Sequence, residues 1–178
     1  MSDFMDLCLC RQTCRKFNPD KPVEHEKLVK CVEAACLAPS GCNAQPWKFI
    51  VVESPDKVAQ VAETPQQMGM NLYAADARAF IVVLEQHAVL MPALRVVLDS
   101  QYFAKGDCGA AVAHICLEAE DQGLGTCIFG MYDRPKLCEI LNLSTDTRFA
   151  GVIAVGYPES AEVRKKMRKP MEEAVRFV

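Results

Sequence analysis

The sequence contains no apolar run near the ~20 residues that a membrane-spanning helix requires. It has one tryptophan, three histidines, a net charge of −3 and no long basic run. A surface that neutralises a phosphate backbone is therefore not expected, so neither nucleic acid nor membrane is predicted as a partner. The ten cysteines include no Cys-x-x-Cys pair, and no histidine stands at a standard zinc spacing from them. Cys8, Cys10 and Cys14 come nearest to a metal or iron–sulfur pattern, and no metal is predicted. Cys31, Cys36, Cys116, Cys127 and Cys138 fall in apolar patterns, where the thiol acts as a small hydrophobe. The start, Met1-Ser2-Asp3-Phe4, lacks the basic and apolar regions of a secretion signal, and the expectation is a soluble, cytoplasmic chain with reduced thiols. With 51% hydrophobic residues and mixed charge, disorder is excluded. A chain of 178 residues is most simply one domain, 1–178. It has no repeat, low-complexity tract or interdomain linker.

What is present is organised around Ala38-Pro39-Ser40-Gly41-Cys42-Asn43-Ala44-Gln45-Pro46-Trp47-Lys48-Phe49. Proline and glycine break it too often for a core element. Ser40, Asn43 and Gln45 offer a hydroxyl and two amides, suited to hydrogen-bonding a neutral heteroaromatic ring or a sugar. The stretch reads either as a plain helix-to-strand turn or as a ligand loop. Near the start, Arg11, Thr13 and Arg15 alternate. An extended backbone points all three to one side, and two guanidinium groups beside a hydroxyl suit a phosphate. An ordinary solvated basic patch is the competing reading.

Apolar periodicity predicts helices over Ser2–Cys10, Glu24–Leu37, Asp56–Ala62 and Arg134–Leu141, and one entered through Gly106–Gly109 that runs to about Gln122. Ser54-Pro55 reads as an N-cap and first helical position. Strands are predicted over Trp47–Glu53, Ala79–Leu84, Thr126–Phe129 and Phe149–Val155. The second is apolar throughout, as in a central strand covered on both faces. Thr64–Tyr73 reads as a short helix or loop, and Gln86–Gln101 is left open. The charged tail, 159–178, ends in apolar Met171, Ala174, Val175, Phe177 and Val178, as if to pack on something such as a second subunit.

Four blocks, taken together and in order, resemble the nitroreductase family of flavin proteins: RQTCRKF, APSGCNAQPWKFIVV, GDCGAAVAHICLEAEDQGLGTCIFGMYD, and GVIAVGYP followed by RKPMEEAV. They span nearly the whole chain. The resemblance implies an α+β sandwich with a mixed, mainly antiparallel sheet flanked by helices, in an intertwined homodimer. It implies one bound FMN per subunit at the dimer interface. Electrons would pass from NADH or NADPH through flavin N5 to a small electrophilic acceptor (nitroaromatic, quinone or enone) by a ping-pong mechanism. It places Arg11 and Thr13 at the FMN phosphate, Gln12 at a position where the family often has a second basic residue, and Arg15 near flavin N1 and O2. Pro39, Ser40, Asn43 and Gln45 would reach the FMN of the other subunit, Gly130 and Met131 would lie against the N5 edge, and Lys166 and Arg168 would close on the phosphate. The chemistry would rest on the flavin, with no side-chain general acid.

One region departs from the family pattern. Relatives often carry Asn and Lys, three apart, near the flavin pyrimidine; here Asn71 stands with a one-residue shift and Tyr73 occupies the Lys region. This departure motivates an alternative, a non-catalytic flavin carrier or sensor. The short stretch between the first two strands also leaves little room for the long lid of the deiodinases or flavin-cleaving members.

Overall fold

The computed structural model describes residues 3–88 and 100–178. The open stretch Gln86–Gln101 falls largely on residues 89–99, outside the described residues. Four strands form one antiparallel sheet: β1 (Trp47–Val52), β2 (Ala79–Glu85), β3 (Gly125–Phe129) and β4 (Arg148–Gly156), in the order β1-β2-β4-β3. The helices among the described residues are α1 (Phe4–Cys10), α2 (His25–Cys36), α3 (Pro55–Glu63), α4 (Ser100–Asp121), α5 (Arg134–Ile140) and the four-residue α6 (Met171–Ala174). The fold is the α+β sandwich expected, and each predicted strand is present to within two residues.

Alternation along β2 makes two cores. Phe80, Val82 and Leu84 enter one layer with α3, α5, Val152 and Ala154. Ile81 and Val83 enter the other with α2, α4, Ile153 and Val155. All seven residues of β2 are buried, so its apolar run follows from cover on both faces.

Helix α4 begins earlier than the glycines suggest. Gly106 and Gly109 are interior to it, at a cost of roughly 1 kcal/mol each relative to alanine. Ala104, Cys108, Ala111, Ile115 and Ala119, all fully buried, form a stripe at three-to-four spacing. Packing along that stripe outweighs the local preference. The helix is not apolar all round, since Ala113 is exposed. It ends as its sequence predicts: Gly123 has φ +74°, and Leu124 N–H donates back to Ala119 O at 2.7 Å. Ser54 precedes α3 but makes no capping bond through its side chain, whereas Asp133 caps α5 by accepting from Lys136 N–H at 3.0 Å. The connection between β1 and β2 folds as α3 and two 3₁₀ turns, Gln67–Gly69 and Leu72–Asp76.

Strand β3 lies at the sheet edge, and the segment after α1 covers it. Thr13 bridges Thr126 in parallel, Cys14 N–H donates to Thr126 O at 2.8 Å, and Phe17 bridges Pro158. The four-stranded sheet itself is antiparallel in every pair rather than mixed, and this parallel pairing is a single bridge outside its strands. Two glycines admit the strap. A Cβ on Gly125 would lie 2.7 Å from Cys14 Cβ, and one on Gly156 would lie 2.8 Å from Phe17 Cδ1. Gly125→Ala is expected to cost about 1–3 kcal/mol by overpacking, a fall in Tm of roughly 2–12 °C. Gly130→Ala, whose Cβ meets nothing within 4 Å, serves as the control with an unchanged Tm. Equal melting of the two variants in thermal scans would mean that the strap yields freely.

Candidate functional site

The strap and the tail enclose a cleft of about 310 Å³. Six of its nine lining residues are cations: Arg11, Arg15, Arg164, Lys165, Lys166 and Arg168; Gln12, Thr13 and Met167 complete it. Two stretches supply these cations, the strap after α1 and the tail. Arg11, Thr13 and Arg15 alternate along the strap, while Arg164, Lys166 and Arg168 alternate along the tail. Residues 164–168 all line the cleft, as do Gln12 and Thr13 between the arginines of the strap, so the two chain ends meet with their cations together.

Backbone and amide bonds hold the tail there. Arg164 donates from Nε to Gln12 Oε1 at 3.0 Å and from its Nη2 to Thr13 O. Gln12 Nε2 donates to Glu162 O at 2.8 Å, and Lys166 Nζ donates to Arg11 O. Glu159 N–H donates to Lys16 O at 3.0 Å. Gln12 lines the cleft as expected, but its amide is engaged by the tail. Arg164 and Lys165 are the residues that sequence reasoning missed; the alternation with Lys166 and Arg168 was the available signal for Arg164. Arg168 keeps a local bond to Met167 O at 2.8 Å.

The other expected residues lie elsewhere on the sheet. Because Thr13 pairs with Thr126 in parallel, the strap from Arg11 to Arg15 runs in the same direction as β3, toward Gly130. Thr126 to Gly130 is four residues, about 13 Å of strand. Gly130 is exposed, and among the described residues a Cβ there would meet nothing within 4 Å; Met131 beside it is also exposed.

The loop Pro39–Gln45 is at the opposite corner. From Thr126 the register runs through Val155 and Ala79 to the far end of β1 from Trp47, so the loop and the cationic cleft are separated by roughly 25 Å on strand spacings. Pro39, Cys42, Asn43 and Gln45 are exposed. Cys42, Asn43 and Gln45 have φ of 53°, 53° and 46°, a left-handed geometry that costs a side-chain-bearing residue roughly 1–2 kcal/mol. The loop is pinned in spite of this: Gly41 N–H donates to Asp107 Oδ2 on α4 at 3.1 Å, and Ser40 Oγ accepts from Gln45 N–H at 3.0 Å. Concentrated strain with exposed polar side chains favours a ligand loop over a plain connection.

Asn71 also has a left-handed backbone, φ 56°. Its Nδ2 donates to Pro65 O at 3.0 Å, and its Oδ1 accepts from Tyr73 Oη at 2.9 Å. The ring of Tyr73 stacks on Phe129 with centroids 6.0 Å apart, so this pair adjoins the turn at Gly130.

All ten cysteines are free, and six are buried. Burial pushes the Cys31 thiol up to about 12 and Cys108 to about 11, which leaves them inert as nucleophiles at neutral pH. Cys36 is exposed, contrary to its apolar pattern, because it faces away from the stripe of Leu28, Cys31 and Ala35 that α2 buries. Among the described residues no group of three or more His, Cys, Asp or Glu is arranged to hold a metal, and no helix is long and apolar enough to cross a membrane.

One acid stands beside the cleft. Burial raises the Glu120 carboxyl above its ordinary value, while Lys166 and Arg11 partly oppose the shift. A raised carboxyl contributes stability below its unfolded value of 4.5 and loses it as pH rises through the folded value. Ionised Glu120 is thus a net cost near neutrality. Glu120→Gln is expected to raise Tm at pH 8, with the gain shrinking toward zero in acid. A gain independent of pH in thermal scans would show that charge is not the cause.

Comparison with known proteins agrees with this architecture. The chain is similar to the iodotyrosine deiodinase of Thermotoga neapolitana, at 26% identity over 185 residues that cover 98% of this chain and 97% of that protein. It is similar to the oxygen-insensitive NADPH nitroreductase of Helicobacter acinonychis, at 26% identity over 94% of this chain and 93% of that one. Its fold matches a nitroreductase family protein of Streptococcus pneumoniae with a TM-score of 0.85, at 23% identity, over 99% of this chain and 100% of the other. It also matches an Exiguobacterium sibiricum protein, solved as a nitroreductase candidate in complex with FMN, with a TM-score of 0.83, at 20% identity, over 100% and 98%. The Nitroreductase family model itself matches residues 9–157, which hold the strap, the strained loop and all four strands, and the chain belongs to that family.

Proposed function

We propose that this chain is an FMN-dependent oxidoreductase that passes electrons from NADH or NADPH to a small electrophilic acceptor. The observation that carries the reading is the cleft in which strap and tail bring six cations together around Thr13. This donor set fits a phosphate: guanidinium and ammonium groups donate only, and they match a phosphate's acceptor oxygens and negative charge.

The strand geometry then orders the rest of the site. Arg11, Thr13, Lys166 and Arg168 hold the phosphate. Arg15 lies further along β3, where its charge faces the pyrimidine end of the ring. Gly130 and Met131 take the N5 edge, where the missing Cβ lets the backbone approach closely. When bound, the flavin supplies hydride acceptance and donation at N5. The protein holds the ring, places a cation where reduction adds negative charge, and lets donor and acceptor use the same face in turn.

The loop Pro39–Gln45 is too far from its own chain's cleft to share one FMN with it. Its exposed polar groups instead serve the site of a second copy, which makes the homodimer part of the site. The tail supports this reading, since Met171, Phe177 and Val178 are exposed apolar residues in the single chain. Residues 171–178 find their burial on the partner.

A second reading, a flavin carrier or sensor without turnover, draws on one observation. One Asn71 amide hydrogen goes to Pro65 O and its Oδ1 accepts from Tyr73, so the side chain is tied to its own loop rather than turned toward a nicotinamide or acceptor. Anaerobic mixing of the FMN-loaded protein with NADH and with NADPH separates the two. The reductase reading expects bleaching of the flavin bands by at least one donor, and no bleaching by either favours the carrier. Arg11→Ala is expected to weaken FMN binding roughly 10- to 150-fold, from loss of a charge-assisted bond of about 1.5–3 kcal/mol. Fluorescence titration measures this, and an unchanged affinity would remove Arg11 from the phosphate site. Light scattering on the same samples should give the mass of two chains; a monomer that holds FMN as tightly would contradict the shared site.

A further inference from the structure

The tail runs back along the strap. Phe17 bridges Pro158, Glu159 N–H donates to Lys16 O at 3.0 Å, and further on Lys166 Nζ donates to Arg11 O. Among the described residues, backbone-to-backbone pairing between the two stretches ends at Glu159. The strap's own backbone is turned to the sheet at Cys14, whose N–H donates to Thr126 O at 2.8 Å. Beyond Glu159, side chains hold the tail against the strap.

Gln12 supplies the central contact. Its Nε2 donates to Glu162 O at 2.8 Å, and its Oε1 accepts from Arg164 N–H at 3.2 Å and from Arg164 Nε at 3.0 Å. One carboxamide thus spans the two backbone groups that flank Val163, as the N–H and C=O of one residue do in a parallel ladder. The direction of the amide is determined, since a carbonyl only accepts and a backbone N–H only donates. Among side chains of similar length, Arg and Lys lack an acceptor, an ionised Glu lacks a donor, and Met offers no donor either. A cation in place of Gln12 would satisfy Glu162 O but would turn its donors against those of Arg164.

The latch leaves the charge of the tail unspent. The oxygens that hold Arg164 and Lys166 belong to neutral groups: Gln12 Oε1, Thr13 O and Arg11 O. Arg164 uses Nε and Nη2 in these bonds, and Lys166 uses one ammonium hydrogen, which leaves N–H donors on both for an anion in the cleft that they line. Gln12 therefore fixes where the tail cations stand without competing for them.

We propose that Gln12 is the positioning residue of the cationic cleft: its amide latches the tail at Glu162 and Arg164, and the cleft holds an anion tightly only while that latch is closed. The inference rests on the FMN reading above, in which the anion is the flavin's phosphate. Gln12 acts through Arg164 and the cations that follow it, not by contact with the phosphate. An added cation at position 12 weakens the phosphate site, because it opens the latch.

The test is fluorescence titration of the full-length protein with FMN and with riboflavin, which has the same ring and no phosphate, together with hydrogen exchange at the Arg164 amide. Gln12→Met is expected to bind FMN about tenfold more weakly, from loss of a bond to a charged group. Its riboflavin affinity should stay within about twofold, since that ligand brings no charge for the tail to meet. Gln12→Arg should bind FMN at least about threefold more weakly in spite of its extra charge, because it has no acceptor for Arg164. In both variants the Arg164 amide should exchange about tenfold faster, as expected for a locally opened segment. Should Gln12→Met fail to fold, Gln12→Asn keeps an amide one methylene too short to span both backbone groups, and the same fall in FMN affinity is expected. FMN held as tightly or more tightly by Gln12→Arg, equal losses for FMN and riboflavin, or an Arg164 amide that exchanges no faster overturns the proposal. A parent protein that binds no FMN overturns the cofactor reading instead. Inorganic phosphate then replaces FMN as the probe, and the same order of affinities, with the exchange rate of Arg164, still decides on the latch.

Discussion

The pairing of Thr13 with Thr126 is the contact on which the rest of the site depends. An open sheet edge exposes unpaired backbone groups, and β3 is such an edge until the strap covers it. The strap lies close because Gly125 and Gly156 carry no side chain. Once it is in place, the alternation of a strand presents Arg11, Thr13 and Arg15 together. The parallel direction carries this row along β3 toward Gly130. Edge protection and the gathering of the strap's cations are thus two results of one backbone interaction.

The tail completes what the strap begins. Its cations alone would be a solvated run. Clamped by Gln12 and by the backbone at Arg11 and Thr13, they become the second wall of the cleft. Positive charge this dense opposes its own assembly, since like charges repel. Glu120 offsets part of that repulsion, although burial makes its ionisation costly. A bound phosphate would relieve the same repulsion more fully, which couples ligand binding to the order of the two chain ends.

The strain in this chain is not spread evenly. Cys42, Asn43 and Gln45 share one loop, and Asn71 begins the turn that carries Tyr73. Each site is held by a hydrogen bond: Asp107 on α4 accepts from the loop at Gly41 N–H, and the Pro65 carbonyl accepts from the Asn71 side chain. The loop at 42–45 leaves its side chains largely outside the core, whereas the turn after Asn71 buries Ala74 and packs Tyr73 against the core.

Much of the fold was legible in the amino-acid order. The β-branched runs at Trp47–Val52 and Ala79–Glu85 and the Gly123 helix end follow from local preference and period. So did the row Arg11, Thr13, Arg15, because a period of two states which side chains share a face. The start of α4 was not legible, since buried small residues far apart in sequence outweighed two glycines. Nor was the role of Arg164, whose partners lie about 150 residues away. The orientation of Asn71 was hidden for another reason: its partners Pro65 O and Tyr73 are near in sequence, but the left-handed backbone that turns it to them is not signalled by period or propensity. The sequence by itself determined the strands, the alternating cations and the family. Tertiary structure decided which cations meet, which polar groups were already engaged, and that Pro39–Gln45 lies beyond reach of its own cleft. Period and propensity act between neighbours, whereas convergence depends on strand order and register, which only long-range packing sets.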